Sequence, residues 1–365
     1  MIKQFLSLSV CLSTLLLAGH LWASSPNYSA ARNLGAYVAD QAATALEAEW
    51  TPGECIVVTN AGYARPMGHS SLGCVDGVTA GCGASLGRGT LITLQSRFDQ
   101  ALWFAFYDRA SGRCTYYQLS TKKTGQALKG QKAIHSDLFS HTDTARIDAQ
   151  TILAHPQSFE NKAKQGLFAD NLFRVVTVAN AADQGCPDYV LQALQVHDHY
   201  CPGVSSGILM ATYIQKELIS SPETSCFVLS LNPWCKEDAL TTLLNATPGK
   251  RAYGVLYPSK GQIKSWSGPL NRVDTVAFLK GPDDEHWKGY CLGFDFEQAR
   301  GKQDLPAYDF IVLNKLASDL WFLDRLDQPE AFVSMLETLH LPSGMEPKDL
   351  LRPGKNPVQI LEKMM

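Results

Sequence analysis

Apolar residues recur in two rhythms along this chain, and the rhythms alternate in the same order in its two halves. In "LGAYVADQAATAL" (34–46), Leu34, Val38, Ala42 and Ala45 fall on one face of a helix. "CIVVT" (55–59) is a continuous apolar strand, and "CVDGVTAGCGASLGRG" (74–89) reads as a short helix closed by a Gly-Arg turn. The second half repeats this order. "SSGILMATYIQKEL" (205–218) puts Ile208, Ala211, Ile214 and Leu218 on one face, "CFVLSL" (226–231) is a strand, and "CKEDALTTLLNATPGK" (235–250) is a helix ending in Thr-Pro-Gly-Lys. With Asp76 set against Asp238, Gly87-Arg88 falls on Gly249-Lys250 without a gap. Strand-like runs follow each turn: "TLITL", "ALWFAFYD" and "CTYYQL", then "AYGVLYP", "TVAFL" and "GYCLGF". The expected fold is α+β, built as two tandem domains of residues 24–180 and 181–365. Each is a mixed sheet packed with helices. The polar stretch 121–170 and the closing segment 306–365 are expected as helical tails, the second interrupted by Pro342, Pro347, Pro353 and Pro357.

The first 23 residues stand outside this pattern. Lys3, an apolar core from Phe5 to Leu17 and the small-residue junction around Ala23-Ser24 read as an export signal peptide. The apolar run is short for a bilayer span and is broken by Gly19 and His20, and no later segment is apolar enough to cross a membrane. A periplasmic or secreted mature chain is expected. Of the ten cysteines, Cys11 leaves with the signal, and the odd remainder means that at least one is unpaired or holds something other than a disulfide. A net charge of −3 and the absence of basic runs longer than two residues give no footprint for nucleic acid or an anionic membrane.

Chemistry concentrates in "VHDHYCPGVSSG" (196–207), just ahead of the first helix of the second half. Cys201-Pro202-Gly203 suits a helix start, where the N–H that proline lacks would be unpaired in any case. Read as extended chain, the alternation sends His197, His199 and Cys201 to one side. Imidazole and thiolate so placed can share one transition ion, and a helix N-terminus favours the thiolate that binds it. The competing reading is a disulfide from Cys201 to Cys186 or Cys226, with the histidines in an exposed loop. Asp238 reads as a first-turn carboxylate favoured by the helix dipole, and Arg88 and Lys250 as helix-end charges. Trp234 is either core or a wall beside Cys235.

The run "HDHYCPGVSSG", the "CKEDAL" helix and the "TPGK" turn resemble the FmdE family, named after a component of molybdenum formylmethanofuran dehydrogenase, over most of residues 186–300. The resemblance implies an α+β fold, here two FmdE-like domains. It also implies one transition metal ion, zinc-like, held by His199, Cys201 and Cys235, with His197 as ligand or immediate neighbour. Asp198 stands where the family has a glycine, a place that suits a positive φ. Ala246 stands where a further family cysteine is expected. In the first half Ser25, Asn27 and Ser29 align with His197, His199 and Cys201, and Cys74 falls one residue off Cys235, so this copy is expected to lack the site. Cys82 and His69 are what remains there for a divergent one.

Haem-attachment, zinc-ribbon and phosphate-loop motifs are absent. Nothing supplies the molybdopterin or iron–sulfur machinery of formylmethanofuran oxidation. Three functions remain: an exported metal-binding protein that handles a small molecule or metal chelate, a metalloenzyme with an open coordination position and His197 or Asp198 handling protons, and a disulfide-stabilised interaction protein.

Overall fold

The computed structural model describes residues 26–131 and 134–365. The signal-peptide reading of residues 1–23 lies outside them. The chain divides into two compact units, the first ending at Asp183 and the second beginning at Gln184.

The first unit is built on a five-stranded sheet in the order β2-β1-β3-β4-β5. Its strands are β1 Cys55–Thr59, β2 Leu91–Thr93, β3 Trp103–Asp108, β4 Arg113–Leu119 and β5 Phe139–Arg146. β1 and β2 are parallel, and every other neighbour is antiparallel. Helices Pro26–Leu46 and Gly73–Cys82 cover one face, where Leu34, Val38, Cys74 and Val78 meet Cys55, Val57 and Phe104 in a single core. Helix Leu172–Asp183 packs against β1, which is buried along its whole length. This explains why "CIVVT" is apolar without alternation.

The second unit repeats the topology in the order β7-β6-β8-β9-β10. The strands are β6 Ser225–Ser230, β7 Tyr253–Val255, β8 Thr275–Lys280, β9 Lys288–Phe294 and β10 Val333–His340. Again one pair, β6 with β7, is parallel, and the rest are antiparallel. Helices Pro202–Tyr213 and Lys236–Leu243 pack on each other, and Ile311–Leu323 packs on the first of them. On the opposite face Phe227, Val276 and Phe278 form a core with Leu341, Leu350 and Leu361 from the end of the chain. Each unit is thus a mixed sheet covered by helices, as the pattern predicts.

Two expectations fail. The stretches expected as helical tails each contain the edge strand of their sheet, β5 and β10. "FSHTDTAR" alternates partly buried and exposed positions but offers only Phe139 and Ala145 as apolar members, so period two is present and hydrophobicity is not. The prolines at 342, 347, 353 and 357 sit in short turns and helix starts that close the core, not in a loosened helix. Among the described residues no helix is long and apolar enough to cross a membrane.

Candidate metal centre

Helix Asp188–His197 ends at the first histidine of the motif. Asp198 then adopts a left-handed conformation, φ 71°, and its N–H caps the helix by bonding Leu194 O. The chain reverses through His199 and Tyr200, and Cys201, extended at φ −156°, is the N-cap of helix Pro202–Tyr213. The single extended segment expected for His197, His199 and Cys201 is therefore corrected. A helix end, a left-handed turn and a helix start converge the three side chains instead. Cys235 is the N-cap of helix Lys236–Leu243. Both thiols stand at helix N-termini, where the dipole favours the thiolate.

The helix pair brings the second thiol within reach. A Cβ placed on Gly203 would lie 2.7 Å from Cys235 Cβ and 3.3 Å from its Sγ, and one on Gly207 would lie 2.3 Å from Lys236 O. These glycines let the two helices approach until one ligand atom each from His197, His199, Cys201 and Cys235 lie within 4.8 Å of one another. Cys201 Sγ is 3.8 Å from His197 Nε2. A tetrahedron with zinc bonds of about 2.0–2.3 Å has edges of roughly 3.3–3.8 Å. The four side chains could hold one transition ion after closing by up to about an ångström.

Each imidazole is oriented through its other nitrogen. His197 Nδ1 bonds Asp238 Oδ2 at 2.7 Å, and His199 Nδ1 bonds Asp198 Oδ1 at 2.8 Å. Both Nε2 atoms are thereby turned to the cluster, the arrangement in which a carboxylate fixes the tautomer of a metal-binding histidine. Asp238 thus does more than complement the dipole. Asp198 itself takes a positive φ of 71° and adds a carboxylate that glycine, the residue favoured at such an angle, cannot supply.

Burial would push His197 down, yet its hydrogen bonds to Asp238 and Cys235 outweigh that and raise it to about 9. Hydrogen bonds from Cys201 and His197 bring Cys235 down to about 4, while the proton that Cys201 shares with Cys235, together with burial, pushes Cys201 well up. Shared protons hold His197, Cys201 and Cys235 together. A divalent ion would replace them.

All nine described cysteines are free thiols, and Cys201 lies with Cys235, not with Cys186 or Cys226. Among the described residues no other group of His, Cys, Asp and Glu gathers three ligand atoms. In the first unit Cys82 is buried in the core with its thiol on Val78 O, and it does not join His69. Ala246 is buried. Lys250, in the short turn Pro248–Lys250, bonds Asn245 just beyond helix Lys236–Leu243. Trp234 is 48% exposed and lines a cleft with Cys201 and Cys235.

Sequence reasoning missed Gly203, the orienting roles of Asp198 and Asp238, and Asp319. Asp319, on helix Ile311–Leu323, is fully buried, and neither of its oxygens has a hydrogen-bond partner among the described residues. Burial pushes its carboxyl well above the usual range. A signal was present: Val312, Leu316 and Leu320 mark the buried stripe, and Asp319 sits in it.

Compared with known families, residues 196–262 match the family model FmdE, described as "Molybdenum formylmethanofuran dehydrogenase operon". The matched segment contains all four cluster residues and both orienting carboxylates. No curated protein matches the chain.

Proposed function

We propose that this protein is an exported metal-binding protein that holds one zinc-like ion through His197, His199, Cys201 and Cys235 and handles a small molecule or metal chelate beside it. The observation that carries the reading is the convergence of two imidazoles and two thiols, each imidazole steered by its own carboxylate. A disulfide or an exposed loop requires no such pair of carboxylates. Mixed nitrogen and sulfur donors favour zinc over hard, oxygen-seeking cations. Export rests on the leader read from residues 1–23, whose removal near Ala23 is checked by intact mass of the protein recovered outside the cytoplasm.

The test is joint measurement of metal and free thiol on protein purified without oxygen. One ion per chain is expected, with Cys201 and Cys235 protected from thiol reagents until a chelator is added. A metal-free chain whose Cys201 reacts freely or is found in a disulfide overturns the reading.

A second reading, a metalloenzyme that keeps one coordination position open, draws on the cleft beside Cys201 and Cys235. Cobalt in place of zinc separates the two. A visible spectrum unmoved by added azide indicates four protein ligands, and one that shifts indicates an open position.

A further inference from the structure

The second unit holds a cleft of about 500 Å³ against the cluster, a size usual for small-molecule sites. Cys201 and Cys235 form part of its lining. Trp234 and Phe296 are set edge to face beside them, ring centroids 4.9 Å apart and planes at 81°, with the indole half in solvent. Arg300 and Lys315 also line the cleft, and no carboxylate does. The Arg300 guanidinium makes no ion pair or hydrogen bond among the described residues. The cluster and Trp234 fall inside residues 196–262, whereas Phe296, Arg300 and Lys315 come from beyond them. The outer wall is therefore an addition to the segment that gathers the thiols and imidazoles.

We propose that this cleft binds a flat aromatic carboxylate, its ring against Trp234 and Phe296 and its acid group toward Arg300 and Lys315. The assignment deepens the metal reading and rests on it only in placing an ion at one end of the cleft. Aromatic walls favour a ring, which buries apolar area and meets their faces and edges. Two cations without a lining carboxylate select a negative group, and a guanidinium pairs with a carboxylate through two parallel hydrogen bonds. An inorganic anion would leave the aromatic wall unused. A neutral ring would leave the Arg300 guanidinium unused.

The experiment is calorimetric titration of the purified protein, with zinc and after chelation, using 2-naphthoate and its neutral analogue 2-naphthamide. Arg300→Gln and Trp234→Ala are titrated alongside once their melting curves match the parent. Saturable binding of naphthoate is expected, with naphthamide and both variants at least about tenfold weaker. Failure of naphthoate to bind, equal binding of naphthamide, or an unchanged Arg300→Gln overturns the proposal. Zinc at one per chain without naphthoate binding removes the cleft assignment alone. Charge-dependent naphthoate binding by a chain that holds no zinc removes the metal reading and leaves the cleft assignment standing.

Discussion

Gly35 in the first unit and Gly207 in the second occupy corresponding places. A Cβ on Gly35 would lie 2.2 Å from Cys74 O, and one on Gly207 would lie 2.3 Å from Lys236 O. That contact sets the register of the two helix pairs, so Gly73 corresponds to Cys235 and Ala31 to Gly203. It also bears out the one-residue offset of Cys74. From the same packing the units diverge at one spot. In the second, a turn through Asp198 to Tyr200 precedes helix Pro202–Tyr213, whereas in the first helix Pro26–Leu46 runs through Asn27 and Ser29, the places of His199 and Cys201. Asp76 keeps the place of Asp238 but accepts from the Tyr28 hydroxyl at 2.7 Å, as Asp238 does from His197. A Cβ on Gly73 would meet Tyr28 O at 2.9 Å and Ala31 Cβ at 3.0 Å, so the first unit has no room for a thiol there. A shared scaffold holds the helices, and a short loop with one fitted glycine makes the site.

The largest effect is expected from the thiols. Cys201→Ser or Cys235→Ser should cost more than the ~100-fold that outer carboxylates command, and should lower the melting temperature of the zinc-loaded protein, because the ion ties two helix starts together. Cys74→Ala should leave metal content unchanged. If it is Cys74→Ala that loses the ion, the comparison is inverted.

Acid comes next. The metal-free chain holds a proton on His197 below about 9, and only the neutral imidazole binds an ion. Apparent zinc affinity should therefore fall as pH drops, by about tenfold per unit for this proton alone, and a competition titration between pH 8 and 6 reads it as roughly 100-fold. A flat profile would mean that His197 is not a ligand.

Removing an orienting carboxylate should be milder. Asp238→Asn is expected to weaken zinc by about 10–100-fold, while Asp76→Asn, its counterpart, changes nothing in metal content. Equal losses would deny the first unit's silence.

The smallest effect separates scaffold from site. Gly35→Ala should destabilise the protein by about 1–3 kcal/mol in denaturant melts through crowding against Cys74 O, and leave zinc stoichiometry intact. Gly207→Ala should cost a similar amount and also release zinc, because it parts the two helices that carry the thiols. Retention of tight zinc by Gly207→Ala would sever the link between helix spacing and ligand geometry.

Legibility in the sequence followed burial. β1 and β6 read directly because their residues are apolar and lie under helices on both sides, and the Pro202 helix start was visible from Cys-Pro-Gly. β5 did not read, since an edge strand with one wet face needs few apolar residues, and β10 did not because a bulge between Met335 and Glu337 breaks its alternation. The four cluster residues were legible as a motif plus a later cysteine. Their geometry was not, because a left-handed residue at Asp198 turns what looks like alternating chain into a helix end and a turn. Asp238 and Gly203 were visible as residue types, but their roles depend on a contact between helices that no local pattern encodes. The cleft lies across segments that share no periodicity.

Asp198 has a consequence that belongs to mutation and not to mechanics. Every aspartate codon is one base away from a glycine codon, so the glycine that the FmdE resemblance leads one to expect at this place and the aspartate found here are adjacent in the genetic code, with no third residue between them. Both tolerate a φ of 71°. The exchange therefore leaves the turn standing and changes only whether a carboxylate rests against His199. A lineage can gain or shed that carboxylate in one step, and the strength with which the histidine is held becomes something a population can drift in without losing the loop.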